Sequence, residues 1–219
     1  MSQKTASTKS GSGGSRSKSG PASLQTAPIK ADPSAVIYDT ATLVGKHPIT
    51  IGAHSVIHPR ATILSHAGPV TIGDYCIVCE RSVVGYPEVR DGKAYVESSG
   101  AGVTDNSEPP ESLAIDIGSH VRIEPFAQVM ASVVKDGCIL DVYSVVRQGA
   151  ILGKHCHVGV RCEVSNGEEI GDNAVLYWLD TKQRKRYNNT GLFELEKINQ
   201  EKHCQVLGQL WQASRKGKA

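Results

Sequence analysis

From Val134 to Trp178 the chain reads VKDGCI LDVYSV VRQGAI LGKHCH VGVRCE VSNGEE IGDNAV LYW. Every sixth residue is a branched aliphatic: Val134, Leu140, Val146, Leu152, Val158, Val164, Ile170 and Leu176. A period of six fits neither the helical 3.6 nor the strand period of two. Four residues after each of the first seven stand Cys138, Ser144, Ala150, Cys156, Cys162, Glu168 and Ala174, small in every case but Glu168. A large aliphatic followed at fixed offset by a small residue is the hexapeptide repeat of a parallel β-helix. The aliphatic points into a triangular prism, and the small residue fits where the chain turns a corner. Gly153, Gly159 and Gly171 each follow an aliphatic; the pattern assigns them to turns that need a permissive backbone.

Working outward, the hexads extend upstream. They begin near Ala31 and run through Ile37 and Leu43, with Ala35 and Ala41 in the small places. Extra residues near Lys46–Pro48 precede Ile51, Ile57 and Ile63, whose small partners are Ser55, Ala61 and Ala67. A further insertion at Gly68–Pro69 leads to Ile72, Val78 and Val84, with Cys76 and Ser82. Interruptions after every third hexad mark one triangular coil each. The pattern stops from Gly85 to about Leu113, a stretch containing Glu108-Pro-Pro-Glu111, and its length predicts either a functional loop or disorder. It resumes at Ile117, Ile123 and Val129, with Val121, Ala127 and Val133 assigned to the small places, and one residue is deleted before Val134. Six full coils and part of a seventh, stacked ~4.8 Å apart, predict a left-handed prism roughly 30 Å long.

The flanks differ from this core. Residues 1–28 are rich in Ser, Gly and Lys and predict a disordered basic tail. Residues 181–219 read as a basic linker, Lys182-Gln-Arg-Lys-Arg186, followed by a helix over about 191–213 with Thr190 as its N-cap. Leu192, Leu195, Val206, Leu207 and Leu210 form its apolar stripe, with Asn199 and His203 inside the stripe. The expectation is that this face lies on the prism, with presentation to a partner as the alternative.

The chain has 219 residues, 39% of them hydrophobic, and one sizeable core is expected over residues 29–180. A formal net charge of +2 makes no electrostatic case for nucleic acid or membrane binding. The charge is uneven: Gly85–Asp116 holds seven acids against Arg90 and Lys93. Without an apolar run of spanning length or a signal-like start, the chain reads as cytosolic and not membrane-inserted. Cys76, Cys138, Cys156 and Cys162 occupy small inward places and read as compact core residues. Cys76-x-x-Cys79 straddles two hexads and has no second pair to complete a zinc set.

Hexapeptide helices resemble two enzyme classes. In γ-class carbonic anhydrases three histidines hold zinc, two of them five residues apart. Here His47, His54, His58, His66, His120, His155 and His157 offer no such pair, and His155 and His157 lack a clear third ligand. In hexapeptide acyltransferases a loop histidine activates the acceptor; the Gly85–Leu113 excursion has no histidine, and His120 reads as an exposed turn residue. The chain therefore predicts no catalytic, cofactor-binding or metal-binding residues.

A third likeness is closer. Val56-Ile-His-Pro-Arg60-Ala-Thr-Ile63 and Ala67-Gly-Pro-Val-Thr-Ile-Gly73 resemble the first coils of the dynactin subunit 6 family. The acidic excursion, the restart at Ile117-Gly118, the shortened step into Val134 and Ala174-Val-Leu-Tyr177 also match. The likeness spans about residues 29–213. It implies a non-enzymatic scaffold of the dynactin pointed-end complex, joined to a second hexapeptide helix similar to dynactin subunit 5. The basic tail is extra, and without a Ser-Pro or Thr-Pro dipeptide no proline-directed phosphorylation is carried over.

Overall fold

The computed structural model describes residues 27–86, 88–90, 93–95, 113–179, 182–187 and 192–216. Strands of two to four residues, lengthening to six in the last, Ala174–Leu179, close successive triangular coils and stack into three parallel sheets. The first face runs from Ile29–Ala31 to Glu169–Ile170, and the third from Thr42–Gly45 to Glu163–Val164. The second runs from Val36–Ile37 to Ala174–Leu179, where Lys182–Tyr187 adds an antiparallel strand. Register is held through the stack, with Ile123 between Val78 and Leu140. The architecture is a left-handed parallel β-helix of hexapeptide repeats, about six coils long, with one C-terminal helix, Phe193–Lys216.

Every hexad aliphatic from Ile51 to Leu176 is at most 2% exposed. Each such side chain contributes about 1.5–3 kcal/mol of burial. The expectation fails at the start of the prism, where Ala31 is exposed and Ile37 only half-buried. No coil stacks beyond them among the described residues. Val133 also departs from its assignment: it faces outward beside Asp116 and Ile151, and the fully buried Ala131 takes the corner place. The deletion before Val134 shortens this corner and shifts the phase. Glu168, the residue that is not small, accepts hydrogen bonds from the Ser165 amide (3.0 Å) and Lys185 (3.3 Å) at the prism's last open corner.

The turns use the left-handed region three residues after an aliphatic. His54, Arg60, Tyr75, Arg81, His120, Phe126, Tyr143, His155, Arg161 and Asn173 all have φ between 54° and 63° there. A side chain in that region costs about 1–2 kcal/mol, offset here by coil-to-coil hydrogen bonds and by stacking. Gly153, Gly159 and Gly171 are not among the positive-φ glycines, contrary to their reading as turn residues. The role of the first two is close approach. A Cβ on Gly153 would meet the Asp172 amide nitrogen at 2.5 Å, and one on Gly159 the Leu176 carbonyl oxygen at 2.6 Å.

The excursion is narrower than the break in the sequence. Strand Val83–Tyr86 keeps Gly85 and Tyr86 in the prism, where the Tyr86 hydroxyl donates to the Met130 carbonyl at 2.6 Å. Leu113 is buried again and strand Ile115–Ile117 resumes the first face. Between them Glu88–Arg90 and Lys93–Tyr95 pair antiparallel. The tail before residue 27, the Glu108-Pro-Pro-Glu111 segment and Thr190 lie outside the described residues.

Candidate functional site

The helix creates a groove against the prism. It lies along the second face, from the sixth coil back to the first. Phe193 stacks on His155 with centroids 4.1 Å apart, Gln200 donates to the carbonyls of Tyr75 (3.2 Å) and Val121 (3.4 Å), and Arg215 meets Asp39 at 3.3 Å. Cys204 is buried on Val36, Val56 and Ile77, which point outward from the prism, and Leu207 and Trp211 pack beside it. The inward stripe is thus Phe193, Gln200, Cys204, Leu207 and Trp211, at helical spacing. The stripe read from hydropathy goes elsewhere: Leu207 is partly buried, whereas Leu192, Leu195, Val206 and Leu210 are half or more exposed. The physical reason is the surface beneath. It offers a narrow apolar strip and backbone carbonyls on its corner, and a glutamine satisfies the latter where a leucine cannot. A Gln and a Cys at positions 200 and 204, in phase with Phe193 and Trp211, were the available signal.

Between the helix's first half and the prism is a groove of about 610 Å³, lined among others by His120, Arg122, Lys154, His155, Lys197 and His203. Three of its basic residues are engaged in ion pairs. His120 Nε2 lies 3.0 Å from Glu201, Arg122 3.0 Å from Glu124, and Lys154 3.7 Å from Asp136. His120 is not the exposed turn residue expected; the helix covers it, leaving 16% of its side chain accessible, and its ring stacks on Tyr75 at 5.3 Å. His155 and His157 diverge in function although they are two residues apart: His155 packs on Phe193, and His157 pairs with Asp141 at 2.8 Å. Among the described residues no group of three His, Cys, Asp or Glu side chains is placed to hold a metal ion.

The cysteines do more than fill corners. Cys76 donates to the Gly118 carbonyl at 3.0 Å, Cys138 to Gly153 at 3.0 Å and Cys156 to Gly171 at 3.1 Å, each reaching the next coil. Ser55 makes the same contact to Gly73 at 2.7 Å. Asp74, Asp136 and Asp172 add side-chain acceptors for the turn amides of Ala53, Ser119 and Lys154 at 2.7–2.9 Å. Burial pushes the Cys76 thiol up to about 12 and Cys204 up to about 11, and burial with the nearby Glu124 carboxylate pushes Cys79 up to about 12. These are protonated structural thiols, not nucleophiles.

The fold and this site define a class: a hexapeptide-repeat β-helix with a C-terminal helix laid along one face. Solved structures similar in fold include a Bacillus cereus protein assigned as an acetyltransferase (TM-score 0.55, 18% identity, 85% of this chain and 98% of that one). Another is a hexapeptide transferase family protein from Anaplasma phagocytophilum (TM-score 0.52, 11% identity, 85% and 97%). At such identities the likeness is one of fold. No protein-family model matches the chain. Dynactin subunit 6 of Nematostella vectensis is 30% identical over 157 residues, 71% of this chain and 77% of that protein. Dynactin subunit 6 of Xenopus tropicalis is 27% identical over 158 residues, 71% of each. The chain belongs to the dynactin subunit 6 family.

Proposed function

We propose that this chain is a non-enzymatic structural subunit of dynactin, working in the cytoplasm on the cytoskeleton. Its place is the pointed-end complex, which supports dynein-driven transport along microtubules and the attachment of cargo and adaptors. There it joins a second hexapeptide helix similar to dynactin subunit 5, in a one-to-one heterodimer, and contacts other pointed-end subunits. It uses no cofactor, binds no nucleic acid and does not insert into membrane; among the described residues no helix is long and apolar enough to cross one.

The observation that carries this reading is the 30% identity to a dynactin subunit 6 across most of both chains. The groove is in keeping with it: His120 pairs with Glu201, His155 packs on Phe193 and Lys154 meets Asp136. The competing reading is a hexapeptide enzyme, either an acyltransferase or a zinc enzyme like the γ-class carbonic anhydrases. Affinity purification of the tagged full chain from its own cells, with identification of co-purifying proteins, separates the two. Dynactin subunits are expected, and co-expression with the subunit 5-like chain should give a one-to-one mass. A self-trimer that turns over acyl-CoA, or carries stoichiometric zinc, would overturn the proposal.

A further inference from the structure

The first and second corners of the prism are built alike but finished differently. At each, the left-handed turn residue projects its side chain away from the axis, one per coil, so the side chains stack. At the first corner His54, Tyr75 and His120 stack in turn, Gly137 interrupts the ladder, His155 follows against Phe193, and the helix lies over them. The second corner stacks Arg60, Arg81, Phe126, Tyr143 and Arg161, and no described element covers it. Phe126 and Tyr143 lie 4.8 Å apart, with Arg81 over the first ring at 5.5 Å and Arg161 over the second at 5.8 Å. Trp178 extends the ridge by donating its indole N–H to the Arg161 carbonyl at 3.0 Å.

This ridge has the composition of a protein-binding surface. Tyr143 is 47% exposed, Val160 53%, Trp178 49% and Leu179 51%, a run of apolar surface along one edge. Tyr, Trp and Arg are the residues over-represented where binding energy concentrates, and exposed apolar patches of this kind mark interaction sites. Arg60, Arg81 and Arg161 make no ion pair among the described residues, whereas Arg147, Lys154 and Lys185 on other faces each meet a carboxylate. Glu80 is the acid beside Arg81. Where the ridge meets the last coil, Lys182, Arg184 and Arg186 add exposed cations of the same sign, Arg186 lying over Tyr177 at 5.5 Å. A guanidinium resting on a ring keeps its N–H edge free for bidentate contact with a carboxylate.

We infer that the second corner, from Arg81 to Trp178 and the adjoining basic strand, is a docking ridge for an acidic segment of another protein chain. That segment carries Asp or Glu residues to meet the guanidiniums and apolar or aromatic residues to cover Val160, Trp178 and Leu179. Charge complementarity selects the acidic partner, since Arg60, Arg81, Arg161 and the adjoining basic strand set cations of one sign along the ridge, and an acidic segment meets them favourably. The apolar run selects protein over nucleic acid, because Val160 and Leu179 offer nothing to a phosphate backbone. The inference stands whether or not the chain assembles into dynactin.

The test is fluorescence anisotropy with the full chain and a labelled peptide of repeating Glu-Asp-Leu-Phe, beside a labelled oligo-uridine. The parent binds the peptide, and R81E/R161E weakens binding by about tenfold or more. Trp178→Ala weakens it as well, although it leaves the charge unchanged. K197E/K202E, the same charge change at two exposed helix lysines, leaves binding as in the parent. R81Q/R161Q serves as a milder second variant, and unchanged circular dichroism melts show that folding is intact. Equal losses in the ridge and helix variants, absence of peptide binding, or tighter binding of oligo-uridine that the same arginines carry would each overturn the inference.

Discussion

The two ends of the prism meet the same problem and treat it differently. A stacked β-coil leaves a row of unpaired amides and carbonyls on its outermost strand, which invites uncontrolled pairing. At the C-terminal end Lys182–Tyr187 turns back antiparallel on Ala174–Leu179 and closes the second face. Gln183 then stands in for a missing strand on the third face: its side-chain carbonyl accepts from the Glu163 amide at 2.8 Å and its amide donates to the Glu163 carbonyl at 2.6 Å. Lys185 reaches Glu168, and Trp178 holds the Arg161 carbonyl. At the N-terminal end Ile29–Ala31, Val36–Ile37 and Thr42–Gly45 each pair on one side only among the described residues. Ile29 is 43% exposed there, and the helix's second half, with Cys204, Trp211 and Arg215, covers only the Val36 and Asp39 side of that coil. The difference teaches that termination in this fold is the work of specific polar side chains, not of the repeat itself.

The largest expected effect comes from cutting the same kind of side chain at each end. Leu176→Ala, beneath the closing hairpin and 1% exposed, should cost about 2–5 kcal/mol in urea unfolding. Ile37→Ala, on the open coil and half-buried, should cost less than half as much. Equal losses would show that the ends are equally well packed and remove the contrast. Overpacking sharpens the same point from inside: Ala150→Phe or Cys162→Phe, both fully buried corner residues, should destabilise by about 1–3 kcal/mol. Melting like the parent would mean that the assigned corner phase is wrong.

What could be read from the sequence follows the same division. The aliphatic hexads were legible because period six admits no other regular structure, and the corner Cys and Ser residues because they repeat at one offset. The closing devices do not repeat. Lys182-Gln-Arg-Lys-Arg186 reads as a linker, since it has no apolar alternation; it becomes a strand by pairing onto Ala174–Leu179. Gln200 and Cys204 do not read as core residues from hydropathy: Gln200 is buried on the Tyr75 and Val121 carbonyls and Cys204 on Val36, Val56 and Ile77, all brought near by other coils. The second-corner ridge was hidden for a related reason. Arg60, Arg81 and Arg161 look like ordinary polar turn residues until the coil spacing sets them in line with Phe126 and Tyr143.

A smaller effect is expected from Gln183→Leu. It removes both contacts to Glu163 and should cost about 0.5–1.5 kcal/mol for each exposed hydrogen bond at most. Its more telling consequence is association: with the third face's last edge uncovered, the variant should show concentration-dependent self-association by light scattering that the parent lacks. A variant that remains as monodisperse as the parent would mean that Gln183 does not guard that edge.

The smallest effect concerns pH and the open half of the molecule. Burial lowers the His58 pKa from its ordinary value of 6.5; Glu80 opposes this shift and His203 adds to it. His58 stacks on Tyr38 at 5.7 Å, where the second coil meets the helix's apolar footing of Val36 and Val56. A group whose folded pKa is depressed is protonated more readily in the unfolded chain. Its contribution is therefore present above 6.5 and is lost as pH falls below that value towards the folded pKa. Acidification should lower the melting temperature in this window, and His58→Gln should flatten the acid limb while leaving stability at neutral pH within about 1 kcal/mol of the parent. The closing hairpin supplies the control. Gln183→Leu lowers the whole curve without changing its slope, because Gln183 does not titrate. If His58→Gln leaves the acid limb as steep as before, the acid sensitivity arises elsewhere, and the open end owes nothing to this histidine.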